Sequence, residues 1–104
     1  MRKAISAQDK ILDISVNLAR VGNWTADSYE TKRKLIQFFI EQTNGYIKEL
    51  DRYELSPDAQ EVIDVFQNEY QRLLKEKVTD QNKDIWAEKM LTWANILTHR
   101  AKLA

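Results

Sequence analysis

His99 is the only histidine and there is no cysteine, so metal or nucleophile chemistry would have to be built around one imidazole. A di-metal site in a helical bundle needs Glu-x-x-His pairs with carboxylates projecting inward. Ile96 lies three residues before His99 and Asn95 four before. Glu88 reaches a similar helical side only three turns earlier, about 16 Å away. One histidine without a carboxylate at i±3 or i±4 argues against a transition-metal site, and no Ser-His-Asp arrangement is evident. His99 is expected as a flank residue near a helix C-terminus, where positive charge is favoured.

Carboxylates are plentiful around one stretch: Glu49, Asp51, Glu54, Asp58, Glu61 and Asp64. An acid–base pair would have to come from this group. Asp58 fits a helix N-terminus, and Glu61 and Asp64 lie off the apolar stripe, so a solvated acidic end able to receive a basic partner is expected instead. The triplet Lys32-Arg33-Lys34 beside Tyr29 has the ingredients of base stacking on a cationic surface. Asp27 and Glu30 dilute it, and sixteen basic residues balance sixteen acidic ones. That balance provides no field for nucleic acid or an anionic membrane. No catalytic residue, cofactor or metal site is assigned, and the protein is expected not to be an enzyme.

The elements that would carry these residues are helical. Two glycines and one proline in 104 residues leave little punctuation, which favours long helices with short connections. Three marks divide the chain. Gly22-Asn23 resembles a helix C-cap, with Thr25 or Asp27 able to cap the next helix. Ser56-Pro57-Asp58 combines an N-cap, a proline for the first turn and an acid at the positive helix end. Thr79-Asp80 can cap the last helix. Four helices follow, at roughly 4–21, 26–53, 57–77 and 81–102. Short connections make neighbours antiparallel, so the expected fold is all-α: one domain over 1–104, an up-down four-helix bundle. The alternative is a three-helix bundle with the first helix exchanged between copies. Asn44-Gly45 could break the second helix, but the apolar stripe runs in phase from Phe39 and Ile40 to Ile47 and Leu50, so the helix is expected to continue.

The segment Leu12–Leu18 alternates apolar and polar residues as a half-buried strand does, but no second strand exists to pair with it. As a helix it carries two stripes. Ile11, Ile14, Leu18 and Val21 form one, and Leu12, Val16 and Ala19 the other, together spanning about 220°. A bundle corner needs less, so one stripe is expected to pack between subunits or against another protein. Phe38 stands outside the stripe of the second helix with Gly45 two turns later on the same side. A glycine inside a helix costs about 1 kcal/mol relative to alanine, and close approach of another backbone or ring would explain it. Leu91 and Val65 are also off-stripe.

The expected function is therefore contact with a protein partner or a second copy, through Ile11, Ile14, Leu18 and Val21 and through Phe38 and Gly45. The alternative is a small-ligand or anion pocket with aromatic walls, formed by Trp86, Lys89, Trp93 and Arg100, in which Arg100 lies over one of the tryptophans. Polar residues Gln8, Asp9, Lys10 and Asp13 interrupt any signal-peptide core after Met1-Arg2-Lys3, and no apolar run approaches the roughly 18 residues of a membrane span. A soluble, cytoplasmic protein is expected.

Overall fold

The computed structural model describes residues 6–103, and within them all regular structure is helical. The elements are α1 (Ala7–Glu49), a short 3-10 turn (Arg52–Glu54), α2 (Pro57–Lys75) and α3 (Lys83–Leu103). The strand-like alternation after Ile11 lies inside α1. The expected helix start near residue 4 lies outside the described residues.

α1 has 43 residues and would be about 64 Å long if straight, yet the longest dimension of the molecule is 41 Å. It folds back at Ser28, whose φ of −150° and ψ of 41° are not helical. The arms then run antiparallel. Lys10 Nζ donates to the Glu49 carbonyl at 2.8 Å, Asn17 Nδ2 to Gln42 Oε1 at 3.0 Å, and the Trp24 and Phe39 rings lie 5.5 Å apart. The break thus falls six residues later than expected, and the first two expected helices are the two arms of α1.

The reason lies at Gly22. It is not a C-cap: its φ is not positive and it stays helical. A Cβ there would stand 2.7 Å from Leu91 Cγ and 3.0 Å from the Ala87 carbonyl, so the glycine permits α1 and α3 to approach closely. The buried set Ala7, Ile11, Ile14, Leu18, Val21 and Thr25 alternates four and three residues apart, the spacing of a coiled-coil seam. It passes through Gly22 without a change of phase. On α3, Ala87, Ala94 and Ala101 recur every seventh residue between Met90 and Leu97, all buried. Small side chains facing one another explain why α3 packs mainly on α1. α2 turns Phe66 and Tyr70, stacked at 5.3 Å, towards the core. α3 runs antiparallel to α2, with Trp86 Nε1 donating to the Leu73 carbonyl at 2.9 Å and Trp93 meeting Phe66 at 5.4 Å.

Asn44-Gly45 does not interrupt α1, as the continuous stripe implied. α1 does end at Glu49, earlier than the expected 53, and Tyr53 is fully out in solvent. Ser56 caps α2, its Oγ accepting from Ala59 N at 3.2 Å. Before α3, Thr79 Oγ1 accepts from Asn82 N and Asn82 Oδ1 accepts from Thr79 N, a capping box with asparagine in the usual glutamate position. No described helix is long and apolar enough to cross a membrane.

Candidate interaction surface

The stripe expected to face a partner is interior. Ile11, Ile14, Leu18 and Val21 are 0–1 % exposed and belong to the chain's own core. Burying each contributes about 1.5–3 kcal/mol, and that gain is already made within one chain. What is left over is part of the second stripe: Leu12 and Ala19 are half-buried, and Val16 is exposed. The width of the apolar face is taken up by α1's second arm on one side and α3 on the other. Asn17, a polar residue outside both stripes, is buried in the first of these contacts. Its amide bonds Gln42 and its Oδ1 accepts from Arg20 at 3.3 Å.

The Phe38 and Gly45 positions remain on the surface. Phe38 is 54 % exposed. Its ring meets Phe39 edge-on at 5.1 Å, and Phe39 in turn contacts Trp24. Leu35, one turn before, is also exposed. Two cations flank this aromatic row: Arg20 lies 5.0 Å from the Phe39 centroid and Lys32 5.8 Å from that of Trp24. Gly45 has no atom within 4 Å of where a Cβ would stand. The close approach expected at Gly45 is therefore absent within the chain and belongs instead to Gly22, where Leu91 covers it.

The aromatic pocket proposed from α3 does not assemble. Trp86 is buried and faces the second arm of α1, whereas Lys89 and Trp93 line a shallow cleft of about 360 Å³ on another side, with Ile85, Glu88 and Glu69. Arg100 lines neither cleft and contacts no tryptophan ring. The buried face of this helix is narrow: Trp86, Ala87, Met90, Ala94, Leu97 and Ala101 are interior, whereas Ile85 and Ile96 are exposed. A larger cleft, about 860 Å³, opens between the second arm of α1 and the end of α2. Trp86 is the one residue of the expected pocket that lines it. Asn44 lines it too, and its Oδ1 is buried without a hydrogen-bond partner, which costs about 1–3 kcal/mol. Nothing in the local sequence distinguishes Asn44 from a turn-forming asparagine.

The acidic stretch is largely committed to structure. Glu54 accepts from the Ala7 backbone N–H at 2.8 Å, where a carboxylate suits the start of α1. Asp51 accepts from Tyr53 N, Asp64 pairs with Arg52, and Glu49 stands 3.8 Å from Lys10. His99 is exposed near the end of α3. Among the described residues no group of three or more His, Asp or Glu side chains converges for a metal. Among the described residues Tyr70 is the one titratable group strongly displaced: burial raises its phenol above the ordinary range, opposed by a hydrogen bond with Thr43. It sits in the core and lines neither cleft. Comparison with protein families, curated proteins and solved structures finds no significant match to this chain.

Proposed function

We propose that the chain is a non-enzymatic helical protein that works by protein–protein contact, and that the contact is first with a second copy of itself. In this reading the two arms of α1 count as separate helices of an up-down-up-down four-helix bundle, and the second of them carries the contact face. The observation behind this reading is that one face holds both an exposed ring and an unfilled notch. Phe38 and Gly45 are seven residues apart, about 10.5 Å of rise, and lie within about 20° of one another around the helix. Two such helices crossing antiparallel on a two-fold axis place each Phe38 over the partner's Gly45 notch. The contact is self-complementary, as a two-fold interface requires.

The same register sets Lys34 opposite Glu49 of the other copy, twice. Rim charges of this kind fix alignment and exclude wrong pairings more than they add affinity. A single helix face is smaller than the roughly 1,200–2,000 Å² of a stable complex, so dimerisation should be weak and concentration-dependent. Light scattering across a dilution series is the test. The wild type should shift from dimer to monomer, and Phe38→Asp should be monomeric throughout with unchanged helicity. Lys34→Glu should weaken the dimer, and adding Glu49→Lys to the same chain should restore it. A chain that stays monomeric at every concentration rules out self-association and moves the same face to an adaptor role with another protein.

A further inference from the structure

α1 is a single run of 43 residues interrupted at one place, Ser28. From Thr25 to Lys32 the chain has neither glycine nor proline, so nothing in its residue types forbids a straight helix through the bend. We infer that α1 straightens at Ser28 and lends its first arm to a second copy, so that two chains exchange first arms. Exchange of an identical element is a low-cost route to a dimer, because each chain gives up and regains the same contacts. A short hinge favours it, since a longer loop would let the arms close within one chain.

The contacts between the arms suit such a pair. Lys10 Nζ donates to the Glu49 carbonyl at 2.8 Å, Asn17 Nδ2 donates to Gln42 Oε1 at 3.0 Å, and the Arg20 guanidinium stands 5.0 Å from the Phe39 centroid. All three are centred midway between Tyr29 and Glu30. Continued as one straight helix, α1 carries the six residues on a single arc of about 100°. Two straight copies, antiparallel about a two-fold axis at that centre, therefore re-form all three contacts between chains, twice over and in the same register. Asp27 lies seven residues after Arg20 and Lys32 seven before Phe39, so both extend this seam. The exchanged pair sets Lys32 level with Asp27 of the partner subunit, and such charge pairs fix register. The Trp24 contacts with Phe39 at 5.5 Å and with Lys32 at 5.8 Å lie off the centre. They belong to the bend and are given up.

In the closed chain the first arm is held by Ile11, Ile14, Leu18 and Val21, all 0–1 % exposed. Exchange therefore requires the core to open, and native chains keep whichever form they folded into. Refolding the full chain from denaturant, with Phe38→Asp to silence the surface contact, tests this. Millimolar refolding should give a dimer that persists for hours after dilution, and micromolar refolding a monomer. The chain has no cysteine, so Lys10→Cys with Glu49→Cys offers one pair to a short bis-maleimide. Once denatured, the bridged monomer should have the mass of one chain and the bridged dimer that of two. Ser28→Ala favours the straight helix and should raise dimer yield several-fold. A Gly-Ser-Gly insertion after Ser28 should lower it at least tenfold. A dimer bridged only within chains would overturn the exchange. So would no dimer from concentrated refolding, or a yield indifferent to the insertion. The Phe38 contact is reversible on dilution and is read in native wild type, so either dimer can fail without the other.

Discussion

Gly22 and Gly45 sit in the same helix under opposite constraints. At Gly22 the added methyl of alanine meets Leu91 at 2.7 Å and the Ala87 carbonyl at 3.0 Å. The leucine must leave its position or the helices must part, and overpacking of this kind costs about 1–3 kcal/mol. At Gly45 the methyl meets nothing, and alanine recovers about 0.5–1 kcal/mol of helix propensity. Urea unfolding should therefore show Gly22→Ala destabilised and Gly45→Ala stabilised, although both exchanges improve local propensity. Equal shifts of the same sign would mean that α1 and α3 are not in close contact. Tyr70 adds a pH dependence. Its phenol is buried and raised above the ordinary value of 10.0, because the phenolate would be desolvated. Below that value the side chain is protonated whether folded or not, and stability does not depend on it. Above it only the unfolded chain releases the proton, so stability falls by up to about 1.4 kcal/mol per further pH unit. Unfolding free energies measured from pH ~9 to ~11 should show this slope in the wild type and a flatter one in Tyr70→Phe.

At the scale of elements, the caps carry the boundaries. Thr79 and Asn82 satisfy each other's backbone N–H groups ahead of α3. Thr79→Ala should cost about 1 kcal/mol, and Asn82→Ala made in that background should cost less than it does alone, because the pair acts as one device. Denaturation of the four chains in that cycle measures the coupling, and strict additivity would argue against a shared box. The all-helical class, the Ser56 cap and the unbroken passage through Gly45 were legible because composition, cap residues and stripe phase all pointed the same way. The fold-back point was not. Two of the side chains that continue the buried stripes of α1 are threonines, Thr25 at its first arm's end and Thr43 in its second. A polar type masks periodicity even when its hydroxyl is turned onto the helix, as Thr43 Oγ1 is onto the Phe39 carbonyl. Gly22 then stood out as punctuation where it serves packing. Ser28, which makes the turn, has an ordinary sequence environment. The cleft was equally hidden, since it arises from the spacing of α2 against α1 and from no motif.

The whole molecule separates two apolar surfaces that one sequence pattern had joined. Ile14 and Leu18 belong to the core that holds α1 on α3, while Phe38 and Leu35 face outwards on the second arm. Charge is not divided in this way: carboxylates gather where α1 meets α2, but Lys32, Arg33 and Lys34 near the Ser28 end stand among Asp27 and Glu30, so rim charges can fix a register without a net field between ends. Substitution by aspartate distinguishes the surfaces. In the core an aspartate has no partner and must be desolvated or protonated, which costs more than about 4 kcal/mol. That is most of the roughly 5–15 kcal/mol by which a domain of this kind is stable. Ile14→Asp and Leu18→Asp should therefore lose helical circular dichroism and the cooperative thermal transition. Phe38→Asp should keep both and lose only self-association. If Ile14→Asp instead remained a folded monomer, the stripe would have to be covered by another subunit in the wild type, and the fold-back of α1 onto its own chain would be the wrong arrangement. The two variants compared by thermal melt and by mass thus test the closure of the core separately from the company the molecule keeps.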